Sequence, residues 1–132
     1  MTRAAPTVLT PHEGELGRLL DRESSWIAAH RLAAVTEAAE RFGCVCLLKG
    51  ADALIAAPGE GVLVAALGPP SLATAGTGDV LTGVIGAFLA KGMDARTAAA
   101  AGAVACDVAA RLGPARGLIA SDLVGLLPAA LE

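Results

Sequence analysis

Gly43-Cys44-Val45-Cys46-Leu47-Leu48-Lys49-Gly50 sets an unbroken apolar run between two glycines and closes it with a lysine. A strand with one face in water alternates apolar and polar side chains, whereas a strand covered on both faces, as in a parallel sheet, reads as continuously apolar. Upstream, Ile27, Leu32, Ala34, Val35, Ala38, Ala39 and Phe42 recur with helical spacing opposite Arg31, Glu37, Glu40 and Arg41. That pattern predicts an amphipathic helix, capped by Ser24-Ser25, running to about Arg41 and ended by Gly43. Thr7 to Thr10 is a short β-branched run stopped by Pro11, and Gly14 to Leu20 suits a short helix. Strand, helices, strand is a βαβ rhythm, which implies α/β layering with right-handed crossovers.

Downstream, Leu54 to Ala57 and Val62 to Ala66 flank the turn sequence Pro58-Gly59-Glu60-Gly61 and predict an antiparallel hairpin at one end of the sheet. Val80 to Lys91, Ala95 to Leu112 and Leu118 to Leu131 predict three helices, separated by Gly92-Met93-Asp94 and Gly113-Pro114. No repeat, linker or low-complexity tail interrupts residues 1–132, so one domain is expected.

Of the 132 residues 55% are apolar, which excludes a disordered chain. The net charge of −3 and the scatter of lysines and arginines leave no footprint for nucleic acid or an acidic membrane. Val80 to Ala90 is too short to span a bilayer and the N-terminus lacks a signal peptide's apolar core, so a cytoplasmic location is expected. Cys44, Cys46 and Cys106 lack CxxC spacing and read as small buried hydrophobes. Trp26, Phe42 and Phe88 are too few for base stacking, and the alanine surplus suits closely packed helices.

Chemistry concentrates in Ala73-Thr74-Ala75-Gly76-Thr77-Gly78-Asp79-Val80-Leu81-Thr82-Gly83. Glycines let backbone N–H groups converge on an anion, the helix that follows adds the positive end of its dipole, and Asp79 stands where it can take a proton beside a phosphate. Gly-Thr-Gly-Asp is equally a turn in which Asp79 caps the helix.

Two further segments, Leu9-Thr10-Pro11-His12-Glu13-Gly14-Glu15 and Leu47-Leu48-Lys49-Gly50-Ala51-Asp52-Ala53, accompany that run. In this order the three resemble the ADP- or ATP-dependent NAD(P)H-hydrate dehydratases of the ribokinase-like superfamily. That family reads T-P-H-x-G-E, L-K-G-A-D, A-T-x-G-x-G-D-V-L-x-G and a late G-L-x-A-S-D, matched by Gly117-Leu118-Ile119-Ala120-Ser121-Asp122. The resemblance implies the C-terminal portion of a three-layer ribokinase-like α/β fold, with a mostly parallel sheet, a β-hairpin and a C-terminal helical cluster.

It also implies the chemistry. Asp79 deprotonates the hydroxyl of hydrated NADH or NADPH, which attacks the terminal phosphate of ADP or ATP; loss of phosphate then restores the nicotinamide. Gly76, Thr77 and Gly78 donate N–H groups to the transferring phosphate, and Lys49, Gly50, Ala51, Asp52 and Ala53 contact the nucleotide. His12 contacts the hydrated dinucleotide, and Glu15 organises Mg²⁺ through water. Several positions depart from the family: Ala53 replaces a threonine, Glu13 a proline, Gly68-Pro69-Pro70 an N-P-G lead-in, and Gly102 and Ala103 a histidine and glycine. Asp107 reads as an exposed helical carboxylate, His30 as ordinary surface, and Ser121-Asp122 as a cap pair for the last helix.

The family's N-terminal half has no counterpart here. A half-sheet exposes an apolar edge, so homo-oligomerisation or association with an N-terminal half is expected. Two other readings stand beside the dehydratase: a ribokinase-like small-molecule kinase sharing Asp79, and a nucleotide-binding fragment without turnover.

Overall fold

The computed structural model describes residues 3–65 and 68–132. Their elements are β1 (Val8–Leu9), α1 (Glu13–Leu20), α2 (Ser24–Ala29), α3 (Arg31–Phe42), β2 (Val45–Leu48), β3 (Ala53–Ala56), β4 (Leu63–Ala65), a 3-10 turn (Pro70–Leu72), α4 (Thr77–Ala90), α5 (Ala95–Leu112) and α6 (Ala120–Ala130). Ala66, the expected end of the second hairpin strand, lies outside the described residues.

All four residues of β2 are buried, and its pleat sends alternate side chains into two cores. Val45 and Leu47, with Ile55, Ala57 and Ala65, pack against Leu81, Ile85, Ala98, Ala109 and Leu123 of α4, α5 and α6. Cys46 and Leu48, with Leu54 and Ala56, pack against Leu16, Ile27, Val35 and Ala38 of α1, α2 and α3. The molecule is therefore a helix–sheet–helix sandwich, and the unbroken apolar run has the double coverage it requires. Burial pushes the Cys46 thiol up to about 12 and that of Cys106 to about 11. α4 and α5 approach closely at Gly102, where a Cβ would lie 2.6 Å from Ile85 Cγ1.

The sheet has the order β1-β2-β3-β4. β1 pairs with β2 in parallel, placing Val8 opposite Val45, while β2/β3 and β3/β4 are antiparallel. The α/β class stands, but a parallel majority does not hold among the described strands. The loop from Lys49 to Asp52 is too short for the crossover a parallel partner needs.

The single helix expected from Ser24 to Arg41 is two. His30 takes φ −134° and ψ 46°, and its Nδ1 lies 2.9 Å from the Trp26 carbonyl, the acceptor that a continuous helix would give to its backbone N–H. Glu23, with no side-chain bond, occupies the N-cap in place of the serines. Gly43 ends α3 at φ 62° as expected, but Leu32 and Phe42 are 58% and 36% exposed and stand outside the buried stripe. At the other end Ile119 is the N-cap of α6. Asp122 accepts the Ile119 N–H at 3.0 Å from inside the first turn, so Ser121-Asp122 is not the cap itself.

Candidate active site

Parallel pairing brings the ends of β1 and β2 together, and the ladder runs on past β1: the Lys49 N–H donates to the Pro11 carbonyl at 2.9 Å. His12 and Lys49 thereby become neighbours. His12 is the N-cap of α1, its Nδ1 accepting the Glu15 N–H at 3.1 Å while Glu15 Oε2 accepts the His12 N–H at 2.8 Å. This is a capping box with histidine in the usual place of serine or threonine. Thr-Pro-His-x-Gly-Glu is thus a fold instruction as well as a motif: proline stops the strand, histidine caps the helix and glutamate locks the ring. The His12 N–H bond, helped by Lys49 and His12 and opposed by partial burial, holds the Glu15 carboxyl below the usual carboxylate range.

Lys49 Nζ lies 3.8 Å from Glu15 Oε2 and would stand 3.0 Å from a Cβ on Gly78. Its ammonium therefore projects over the first turn of α4. Gly76, with φ 87°, is the N-cap of that helix, a left-handed conformation that glycine adopts without steric cost. Thr77, Gly78 and Asp79 follow as its first three residues.

Three consequences follow for the loop. Asp79 is not the cap, and among the described residues nothing hydrogen-bonds or pairs with its exposed carboxylate. The Thr77 N–H is taken by the Thr74 carbonyl at 3.3 Å, whereas those of Gly76 and Gly78 have no acceptor among the described residues. The Thr77 hydroxyl faces the Leu72 and Thr74 carbonyls at 2.7 and 2.8 Å, tying the lead-in turn to the helix start.

A cleft of about 1230 Å³ joins these parts; His12, Lys49, Gly50, Ala51, Ala53, Gly76, Thr77, Gly78 and Asp79 all line it. Glu15 and Asp52 do not. Glu15 stands behind His12 and Lys49, and Asp52 turns its carboxylate to Arg31 Nη1 at 3.3 Å. Among the described residues no three acidic, histidine or cysteine side chains are grouped to hold a metal ion. With His12 N–H and Lys49 on its carboxylate, Glu15 is not arranged as a direct Mg²⁺ ligand.

Two charged residues outside the motifs also line the cleft, Arg31 and Asp107. Asp107 corrects the expectation of an exposed carboxylate, for it is 9% exposed. Its Oδ2 accepts from Arg111 Nε at 3.3 Å, its Oδ1 is buried without a partner among the described residues, and a Cβ on Gly68 would meet that oxygen at 3.0 Å. The available sequence signal is its helical phase, in line with buried Ala99, Gly102 and Cys106. His30 is exposed as expected, stacked on Trp26 at 4.5 Å.

A glycine-capped helix start beneath a lysine, at the carboxyl ends of the strands in a three-layer α/β sandwich, defines a ribokinase-like protein. The chain belongs to the Carb_kinase family, NAD(P)H-hydrate dehydratase, whose model matches residues 1–128. It is 43% identical over 131 residues to the bifunctional NAD(P)H-hydrate repair enzyme Nnr of Moorella thermoacetica, covering 96% of this chain and 25% of that protein. It is 42% identical over 121 residues to the ADP-dependent (S)-NAD(P)H-hydrate dehydratase of Neisseria meningitidis serogroup B, covering 88% of this chain and 41% of that protein. Among solved structures, the ADP/ATP-dependent NAD(P)H-hydrate dehydratase of Bacillus subtilis, co-crystallised with ATP and Mg²⁺, superposes with a TM-score of 0.88 at 29% identity, covering 99% of this chain and 49% of that one. The chain thus spans about half the length of that structure and less of the curated relatives. No helix among the described residues is long and apolar enough to cross a membrane.

Proposed function

We propose that this chain is the nucleotide-binding and proton-accepting half of a cytoplasmic dehydratase that uses ADP or ATP to restore hydrated NADH or NADPH. One observation carries the reading: the Lys49 ammonium, the Gly76 and Gly78 N–H groups and the Asp79 carboxylate, the latter three without partners among the described residues, line one cleft with His12. Phosphoryl transfer asks a protein mainly for positioning and charge stabilisation. Lys49 and the two N–H groups bind the terminal phosphate and stabilise charge that grows on it. Asp79, its carboxylate free beside them, accepts the proton of the substrate hydroxyl as that oxygen attacks phosphorus. Departure of the phosphate with that oxygen, together with loss of a proton from the adjacent ring carbon, then re-forms the C=C bond of the reduced nicotinamide. His12, its ring fixed by the capping box with Nε2 3.5 Å from Glu15 Oε1, lines the side of the cleft that takes the dinucleotide. Mg²⁺ would enter with the nucleotide and would supply neutralisation of phosphate charge; Glu15 would order its water from outside while holding Lys49.

A completing partner belongs to the same reading. The outward face of α4 carries Thr82, Gly83, Gly86, Ala87 and Ala90, all exposed, and the Thr82 and Thr10 hydroxyls meet at 3.2 Å beside the unpaired edge of β1. A further segment of the fold, taken to be an N-terminal half, or a second copy of the chain covers that surface. With N-terminal sequence restored, the purified chain incubated with hydrated NADH, Mg²⁺ and ADP or ATP should release inorganic phosphate and recover nicotinamide absorbance, whereas the chain alone should do so weakly or not at all. Phosphorylation of an alcohol without that recovery would favour a small-molecule kinase, and ADP binding without turnover a binding fragment.

A further inference from the structure

We propose that Arg31, at the first position of α3, is the positioning residue for the Gly50–Asp52 loop, and that Gly50 is glycine to admit the Arg31 guanidinium rather than a ligand. A Cβ on Gly50 would lie 2.2 Å from Nη1, 2.6 Å from Nη2 and 2.7 Å from Cζ of Arg31. Gly50 does not have a positive φ, so backbone conformation does not demand glycine there. The group that demands it is the guanidinium, whose Nη1/Nη2 edge occupies the space a Cβ would take.

From that seat the fork reaches three ways. Nη2 donates to the Asp52 carbonyl at 3.0 Å, Nη1 pairs with Asp52 Oδ1 at 3.3 Å, and Nη1 also faces Glu13 Oε1 at 3.7 Å. Arg31 thereby ties the start of α1, the start of α3 and the β2–β3 loop into one unit. Glu13, which departs from the family's proline, is one of its anchors. Nε is buried with no partner among the described residues, so the Nη contacts and packing fix the plane. A lysine, with one compact ammonium, cannot cover the same points. The Arg31 side chain is 20% exposed and lines the cleft, but its donors point to the loop. It acts on the nucleotide through Gly50, Ala51 and Asp52.

The role toward nucleotide rests on the function proposed above; the coupling of Arg31 to Gly50 does not. Wild type, R31A, G50A and the double variant are compared by thermal unfolding and by calorimetric titration with ADP. In the wild-type background G50A forces the guanidinium out, and the melting temperature falls by roughly 4–8 °C. In the R31A background the same change lowers it no further, because the space is empty. R31A weakens ADP binding about tenfold as the loop loses its register, and R31K recovers stability but less than half of that affinity on a logarithmic scale. Equal melting losses from G50A in both backgrounds would overturn the packing claim. Full ADP affinity in R31A would overturn the positioning claim. Absence of ADP binding by the wild type would count against the nucleotide reading, while the melting comparison would still decide the coupling.

Discussion

Replacing Gly78 by alanine separates the ligand role of this glycine from a conformational one. Gly78 is the second residue of α4 and does not have a positive φ, so an alanine fits the backbone and gains up to about 1 kcal/mol of helix propensity. The added Cβ stands 3.0 Å from Lys49 Nζ, with Cδ and Cε at 3.7 and 3.9 Å. Only the ammonium must retreat, by a few tenths of an ångström. Lys49 then loosens its pairing with Glu15, whose side chains are 29% and 47% exposed, a contact worth ~0–1 kcal/mol. The two terms nearly offset, so unfolding should shift by no more than about 1 kcal/mol. Binding has no such offset. A charge-assisted hydrogen bond to phosphate contributes ~1.5–3 kcal/mol, so ADP affinity should fall roughly ten- to 150-fold. Calorimetric titration beside a melting curve reads both. Unchanged ADP affinity with an unchanged melting temperature would refute Lys49 over Gly78 as the phosphate pocket.

Gly76→Ala should behave in the opposite way: at φ 87° a Cβ costs ~1–2 kcal/mol, and the melting temperature should drop by roughly 4–8 °C in differential scanning calorimetry. With thiols pushed to about 12 and about 11, Cys46 and Cys106 should resist iodoacetamide in the native chain and react only on unfolding, whereas the partly exposed Cys44 labels first. Because the folded Glu15 carboxyl is held below the usual range, its contribution to stability is fully present above the unfolded value and is lost as pH falls through the folded one. Circular dichroism melts between roughly pH 5 and 3 should therefore decline more steeply for wild type than for Glu15→Gln.

How much of this was legible in the sequence depends on whether a feature is set locally. Continuous apolarity from Cys44 to Leu48 foretells burial on both faces, because strand periodicity is a property of the segment itself. Gly43 as a helix stop and the hairpin after Ala53 are local in the same sense. The helix break at His30 is not: it depends on which partner the His30 ring finds, and the apolar spacing runs through it without a gap. The direction of β3 could be judged from the short loop that starts at Lys49, but the resemblance points to a parallel sheet instead. At the site, Lys49, Gly78, Asp79 and His12 are legible because each sits in a motif at a strand end or helix start. Arg31 and Asp107 are hidden for a common reason. Each lies on a helix among residues of ordinary pattern, and its meaning comes from a glycine far away in the chain, Gly50 for one and Gly68 for the other.

The division of labour between backbone and side chain is tested most directly by Asp79→Asn. The proposed anion pocket consists of Lys49 and the Gly76 and Gly78 N–H groups, none of which the substitution touches, while the proposed proton acceptor is removed with little change of shape. In the domain with its N-terminal half restored, ADP should bind within a few-fold of the wild-type affinity and phosphate release from hydrated NADH should cease. Phosphate release persisting at the wild-type rate in the Asp79→Asn variant would contradict the account.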